Sequence, residues 1–215
     1  MFFGRRKEPS ASASPRRVGR QPGQSARERQ EALRREAPIR TLITRFFNIP
    51  TEESAWGKGA EGEEHVGGLL QQLQPHGWAI EHDVKIGARG ANIDHLLVGP
   101  PGVFVINTKN MGGKVWVAGP HLQVNGQPTN HIDKLEAEAK RVREKLTSAT
   151  RRQTLWVQGL LVFVKPALTV KKQPQYVSVL ADDMLLSFLL QRPAKLSEHE
   201  VEELVRAVRR EETWQ

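Results

Sequence analysis

Three polar side chains mark one end of two otherwise apolar segments. Asn107 and Lys109 close the run VFVINTK (103–109), and Asp94 lies near the start of the preceding run IDHLLV (93–98). Carboxylate and amide oxygens are ligands that hard divalent cations prefer, and an ammonium can orient a water or neutralise charge on a phosphate. These residue types therefore suit phosphate ester chemistry, provided that the fold brings them together.

The two runs are predicted to form a β-hairpin, because the turn residues GPPG (99–102) separate them. Counting back from this loop pairs Asp94 with Asn107. Alternation along the strands then places both residues, together with Lys109, on one face. Both faces are largely apolar, so we expect the hairpin to lie centrally in its sheet with helices covering both sides.

This polar end has two interpretations. Burying ionisable groups is costly unless they are paired, hydrogen-bonded or bound to a cation. In the structural interpretation, Asp94 bridges Lys109 and Asn107 hydrogen-bonds both. In the functional interpretation, Asp94 and Asn107 hold a divalent cation, and Lys109 orients a nucleophilic water or neutralises charge on a phosphate. The residue types alone favour the structural interpretation slightly.

A fourth polar residue lies on a helix predicted upstream of the hairpin. Within residues 59–74, Glu63 shares one helical stripe with Val66, Leu70 and Leu73. This spacing directs Glu63 toward the interior, whereas the neighbouring acids of the segment face solvent.

Three stretches together resemble the NERD (nuclease-related) domain, a branch of the PD-(D/E)xK nuclease-like superfamily. They are GAEGEEHV (59–66), ANIDHLLVGPPGVFVINTKNMGGKVWV (91–117) and LQVNG (122–126). The resemblance implies an α/β fold, in which a mixed central β-sheet flanked by helices forms a restriction-endonuclease-like core. It also implies a DNA-processing protein that hydrolyses phosphodiesters with Mg²⁺ or Mn²⁺ as its cofactor.

Carried over position by position, the resemblance implies a catalytic set of Glu63, Asp94, Asn107 and Lys109, with the first three as metal ligands. The family's helix glutamate directly follows the second glycine of GAEGE, which makes it Glu63. The departure is Asn107, where the family usually has Asp or Glu. Because an amide supplies an oxygen without a charge, we expect weakened Mg²⁺ affinity and a weakened endo- or exodeoxyribonuclease. A catalytically inactive nucleic-acid-binding or scaffold module that retains the nuclease fold is the alternative.

The resemblance extends more loosely through the remaining elements and implies a nuclease-related domain over residues 56–210. Strands are predicted at 78–86, 155–164 and 176–180, and shorter ones in KVWVAG and HLQVNG on either side of residue 120. Helices are predicted at 131–147, about 182–191 and 198–210. The Asn125-Gly126 pair is a strong turn signal, and Ser197 with Glu200 predicts a capping box.

The net charge of +8 comes from the N-terminus. Residues 1–45 hold 12 of the 32 Lys and Arg residues and 4 of the 24 Asp and Glu residues, which leaves 20 of each sign elsewhere. We predict a disordered basic arm over 1–45 with a short solvated helix at 27–37, then a linker or docking segment at 46–55. An apolar stripe from Ile39 to Phe47 would dock on the body or on a partner. The arm would add sequence-independent affinity for nucleic acid, and its candidate residues are Arg5, Arg6, Lys7, Arg16, Arg17 and Arg20.

Other chemistries have less support. With no cysteine, the chain has no thiol nucleophile and no thiolate metal site. GAEGEE lacks the GK[ST] of a phosphate-binding loop, and the seven histidines show no zinc-ligand spacing, so we expect each to be packed or at the surface. The five tryptophans are expected to pack rather than to stack on bases.

No apolar run is long enough to span a membrane, and the N-terminus lacks the apolar region of a secretory signal. We therefore expect a cytoplasmic protein with nucleic acid, DNA in particular, as its partner and with no membrane association.

Overall fold

The computed structural model describes residues 19–36, 52–86 and 91–215. Most of the predicted basic arm, the apolar stripe that follows it and the GARG loop (87–90) lie outside these residues. The helices are α1 (Gln24–Glu36), α2 (Glu52–Leu70), α3 (His131–Thr150), α4 (Leu185–Leu190) and α5 (Glu198–Val208), with short 3-10 helices at Gln71–His76, Asp182–Met184 and Glu211–Trp214. The strands are β1 (Ala79–Ile86), β2 (Ala91–Gly99), β3 (Gly102–Lys109), β4 (Lys114–Ala118), β5 (His121–Val124), β6 (Gln127–Thr129), β7 (Val157–Phe163), β8 (Ala167–Lys172) and β9 (Val177–Ala181).

The main sheet has five strands in the order β1-β2-β3-β7-β9, which places β3 at its centre. The first three strands pair in antiparallel fashion, whereas β3, β7 and β9 are parallel. Val98 pairs with Val103 and His95 pairs with Ile106, so the predicted hairpin register is confirmed. The predicted α/β fold, with a mixed central sheet flanked by helices, is also confirmed.

Helices cover one face of this sheet. On this face, Val66 and Leu70 of α2 and Leu73 of the following 3-10 helix pack in one buried cluster with Leu97 and Phe104. This arrangement confirms the stripe predicted for the first helix of the domain. The predicted stripe of α3 is likewise buried, on the opposite face, at Ile132, Leu135, Ala139, Val142 and Leu146.

A second sheet shares the α3 face, which corrects the expectation that helices alone would cover the hairpin. Its order is β6-β5-β4-β8, and it contributes Val115, Val117, Leu122 and Val124 to the core. The sequence pattern did not identify β6 and β8, because β6 has only three residues including a proline and β8 is largely exposed. The predicted turn is present, since Asn125 and Gly126 both have positive φ, at 52° and 79°.

The N-terminal segment is ordered earlier than the sequence predicted. Residues up to 26 were expected to be disordered and a helix to begin at 27, whereas α1 begins at Gln24 and packs along α2. Two α2 glycines allow this close approach. A Cβ at Gly57 would lie 2.5 Å from the Gln30 side chain, and one at Gly67 would lie 2.6 Å from Pro22. The glycines of α2 therefore form a smooth surface that residues 19–36 cover.

Asp83 anchors this segment to β1. Its carboxylate is only 2% exposed and accepts hydrogen bonds from Arg20 Nε at 2.7 Å, from the Ser25 amide at 2.9 Å and from the Ser25 hydroxyl at 2.8 Å. Arg20 also contacts Glu28 at 2.9 Å. Because two carboxylates engage its guanidinium, Arg20 holds the N-terminal segment against β1 and is not free, while its contact with nucleic acid stays a prediction.

Among the residues described, no helix is both long enough and apolar enough to cross a membrane.

The anchoring role of Asp83 can be tested with Asp83→Asn, since Asn tolerates the positive φ of 50° at this position. We expect a loss of about 2 kcal/mol in the free energy that keeps α1 docked, because a buried acceptor of three hydrogen bonds loses its charge. Hydrogen exchange across 24–36 measures this loss. The control Glu64→Gln removes the exposed pair with Arg27 (2.7 Å) and should cost less than about 1 kcal/mol. Equal protection in the two variants would contradict the anchor.

Candidate active site

The candidate site lies at the carboxyl end of β3, the central strand. The Asp94 carboxylate accepts a 2.6 Å hydrogen bond from the backbone N–H of Thr108, which ties the start of β2 to the end of β3. Asn107 and Lys109 flank Thr108, and both are partly exposed while Thr108 is buried. The hairpin thus places Asp94 and Lys109 at the same strand end, with Asn107 partly exposed two residues before Lys109.

Asp94 and Lys109 do not form the direct bridge of the structural interpretation. Lys109 Nζ donates a 3.4 Å hydrogen bond to its neighbouring carbonyl at Thr108 and forms no ion pair with any carboxylate in the described part of the chain. Its charge still acts on Asp94 at longer range. The ammonium therefore lies near the carboxylate but does not form an ion pair with it.

Glu63 reaches the same end of the sheet from α2, because Gly62 lets this helix approach β3 closely. A Cβ at Gly62 would lie 2.6 Å from Asn110 Cβ, so no larger residue fits between the helix and the strand. A hydrogen bond from the Gly23 backbone to Glu63 adds a contact from the N-terminal segment. The position of Glu63 thus depends on two glycines from different parts of the chain.

The carboxylates of the site are short of positive charge. Burial, followed by repulsion from Asp94 and Asp83, raises the pKa of Glu63 to about 8, although Lys109 opposes the shift. Burial also raises the pKa of Asp94 to about 6, against the attraction of Lys109 and the Thr108 hydrogen bond. In the site without a cation, burial and repulsion therefore favour the protonated form of Glu63.

Glu138 on α3 is a site residue that the sequence interpretation missed. Burial and then repulsion from Asp94 raise its pKa to about 7, while Lys109 acts in the opposite direction. Its Oε2 is buried and has no hydrogen-bond partner among the described residues. The signal was available, since Glu138 lies three residues after Leu135 and four before Val142, at a position of the helical stripe where an apolar residue is expected.

Histidines contribute little charge here. At the start of α3, burial and repulsion from Lys109 and Lys134 lower the pKa of His131 to about 4. On the opposite face of the hairpin, His95 is fully buried, and its Nδ1 lies 2.8 Å from Nδ1 of His82. His95 is thus packed, as expected.

A cavity of about 400 Å³ opens onto this cluster between α1, α2 and the end of β3. It is lined by Ala26, Ala55, Trp56, Gly59, Glu63, Asp94, Thr108, Lys109, Asn110 and Met111. Because Ala26 belongs to α1, the N-terminal segment forms one wall of the candidate site.

The oxygen donors at this site are of the type that a hard divalent cation prefers. Two buried acceptor oxygens, Glu138 Oε2 and Asn92 Oδ1, have no hydrogen-bond partner within the described ranges, and Asn92 shares a strand face with Asp94. Raised carboxylate pKa values indicate the same shortage of cationic partners. The described residues do not, however, contain a preformed group of three His, Cys, Asp or Glu side chains that could hold a metal ion. A cation would therefore need Asn107 as a ligand or a small movement of the acids.

Fold and site together define an α/β protein with acids, an amide and a lysine gathered at the end of its central strand. A family model for the nuclease-related domain, NERD, matches residues 58–164, which include Glu63, Asp94, Asn107, Lys109 and Glu138. The chain therefore contains a NERD nuclease-related domain.

A search of curated proteins found one relative, an uncharacterized protein of Bacillus anthracis that is 35% identical over 65 residues. The match covers 29% of this chain and 30% of that protein, so the chain spans less than a third of the relative's length. No solved structure matches the chain.

The raised pKa of Glu63 predicts how the stability of the fold depends on pH. Because the folded pKa of Glu63 is raised to about 8 from an ordinary value near 4.5, its contribution is fully present below about pH 4.5 and is lost as the pH rises through 8. We expect the free energy of unfolding to fall over this window and Glu63→Gln to be more stable than wild type at pH 8. Urea unfolding at a series of pH values measures both effects. The control is Glu61→Gln, on the exposed side of α2; a Glu63→Gln curve with the wild-type slope would contradict the prediction.

Proposed function

We propose that this protein is a divalent-metal-dependent nuclease that acts on DNA at the carboxyl end of β3. One observation carries the proposal: three buried acids, Glu63, Asp94 and Glu138, all lie close enough to Lys109 for its charge to lower their pKa values. All four residues belong to the nuclease-related domain. Such a concentration of negative charge destabilises the apo protein, and a cation with a bound phosphate would relieve it.

The chain's own residues would divide the work of hydrolysis. Glu63, Asp94 and the Asn107 amide oxygen would hold Mg²⁺ or Mn²⁺. When bound, such an ion polarises a phosphate and lowers the pKa of a water. Lys109 would neutralise charge on the phosphate or orient the attacking water, whose oxygen bonds to phosphorus as the bond to the leaving oxygen breaks. The water would give up one proton to solvent, and the leaving oxygen would take up a proton in its place. The cavity of about 400 Å³ supports this role, because it would give a phosphate access to this end of the sheet.

A second candidate function is a catalytically inactive module that binds nucleic acid with the same fold. Asn107 favours it, because this position supplies no charge to a cation. The N-terminal segment also favours it, since Gly23 and Ala26 contact or line the site from outside the matched domain.

Restoring the second acid separates the two candidates. We expect Asn107→Asp to raise Mg²⁺ affinity by about tenfold, because a carboxylate adds a unit charge at a position where the wild type offers only an amide oxygen. Calorimetry measures binding, and cleavage of single- and double-stranded DNA measures activity. If neither wild type nor Asn107→Asp binds metal or cuts DNA, the nuclease proposal fails and the inactive module stands.

Glu138 supplies an independent test of the same site. We expect Glu138→Gln to weaken Mn²⁺ binding by about tenfold while it leaves the fold intact, since the substitution keeps the shape and removes the charge. The matched control is Glu144→Gln, which lies on the exposed side of the same helix. Equal metal affinity in the two variants would place Glu138 outside the site.

The basic arm should make binding sensitive to salt. Because residues 19–36 pack on α2, we assign the arm's contribution to residues 1–18, which carry Arg5, Arg6, Lys7, Arg16 and Arg17. We expect replacing these five with Gln to lower the slope of log affinity for duplex DNA against log salt by about 4, if each contacts a phosphate. Titrations between 50 and 200 mM salt, a range over which about 6 to 10 phosphate contacts lose most of their affinity, measure the slope. An unchanged slope would exclude the arm from binding.

A further inference from the structure

A second cavity lies on the α3 face of the main sheet, away from the candidate active site. Its volume is about 410 Å³, and its polar and aromatic walls are formed by Glu136, Lys140 and Arg143 of α3 and by Trp156 and Tyr176. None of these residues belongs to the site described above.

The two aromatic rings are exposed side by side. Trp156 is 53% exposed and Tyr176 is 50% exposed, and their ring centroids lie 6.4 Å apart at an interplanar angle of 50°. Each precedes a strand, β7 or β9, and these two strands are neighbours. The sequence-based expectation that all five tryptophans pack is therefore wrong for Trp156. Trp56 and Trp116 are exposed as well, whereas Trp78 and Trp214 are buried as expected.

The turn that carries Tyr176 is tied to the sheet. The side chain of Gln173 donates a 2.9 Å hydrogen bond to the carbonyl of Val179 and accepts one of 2.9 Å from the amide of the same residue. On the neighbouring strand, the side chain of Gln158 donates a 2.9 Å hydrogen bond to Ser178 Oγ. These bonds fix the chain on either side of Tyr176 before any ligand binds, which lowers the entropy cost of ordering this segment.

Two cations stand beside the rings. Lys140 and Arg143 are three residues apart on α3 and so share one side of the helix. Within the described ranges neither forms an ion pair, and Glu136 supplies one carboxylate against these two positive charges. The pocket therefore combines flat apolar rings with a net positive wall, which complements a ligand that is both aromatic and anionic.

We propose that this pocket is a single-strand nucleic-acid subsite, in which bases stack on Trp156 and Tyr176 while phosphates contact Lys140 and Arg143. Base stacking on aromatic side chains requires bases that are not paired in a duplex, and basic residues nearby follow the backbone. Duplex DNA offers the same phosphates but hides the faces of its bases.

The subsite lies at the end of the parallel strands opposite to the active site. Lys109 pairs with Phe163, and Val103 pairs with Val157 next to Trp156. Six residues of extended strand separate these pairs, a distance of about 20 Å. A single strand held at the aromatic pair could therefore run along α3 toward β3's carboxyl end. Only this link to cleavage rests on the proposed function, whereas the binding itself does not.

The test is binding of a fluorescently labelled oligo-dT of about a dozen nucleotides to the full chain in EDTA, so that no cleavage can occur. We expect Trp156→Ala to weaken this binding by about tenfold and to leave binding of a duplex unchanged. The matched control is Trp116→Ala, which removes another exposed tryptophan, on β4. Lys140→Gln with Arg143→Gln should lower the salt slope of single-strand binding by about 1 to 2. Thermal unfolding confirms that each variant is folded.

Equal affinities of Trp156→Ala and Trp116→Ala for the single strand would overturn the subsite, and so would an equal loss of duplex binding. A matched RNA strand with the same dependence on Trp156 supports it, because the stacking surface is shared. If the protein cuts DNA but Trp156→Ala does not change binding, the subsite proposal fails and the nuclease proposal stands. Trp156-dependent binding without cleavage in any metal would remove the proposed nuclease activity alone.

Discussion

The site depends on an imbalance of charge at the carboxyl end of β3. Glu63, Asp94 and Glu138 approach from a helix, a strand and a second helix, and Lys109 is the cation that acts on all three. The pKa values of these acids are raised first by burial and then by repulsion from other carboxylates, which Lys109 opposes. Replacing buried charged groups with apolar side chains is often neutral or stabilising, so these acids are a cost to the fold unless a ligand offsets it. In the proposed function, a metal ion would supply the missing positive charge.

The fold supports this cluster by bringing distant segments close together. The two-strand hairpin places Asp94 against the end of β3, and the Thr108 amide fixes the carboxylate. Gly62 allows α2 to touch the same strand end, and the connection from β3 to its parallel neighbour β7 carries α3 with Glu138. Each acid thus comes from a different element, and only their packing around one strand makes them neighbours. Because the three acids come from different elements, the site keeps its negative charge although Asn107 supplies none.

The N-terminal segment gives this nuclease-related domain an outer wall. Asp83 fixes residues 19–36 through Arg20 and Ser25, and the glycines of α2 let the segment lie close enough for Gly23 to reach Glu63. The composition assigns residues 1–45 to one solvated basic arm, but the structure shows that residues 19–36 of it dock on the domain. This docked part is structural, because buried Asp83 requires a positively charged partner.

The sequence by itself determined the hairpin and its register, since the alternation of apolar residues and the turn residues between the strands are local signals. It also determined the buried stripes of α2 and α3 and the place of Asp94, Asn107 and Lys109 on one face. It did not determine the second sheet, whose short or exposed strands lack a clear pattern, or the docking of α1, which relies on glycines far along the chain. The role of Glu138 and the exposed pair of Trp156 and Tyr176 were likewise decided by tertiary structure. Periodicity reports which side of an element is buried, whereas the neighbours that a charged or aromatic side chain meets depend on how the elements pack.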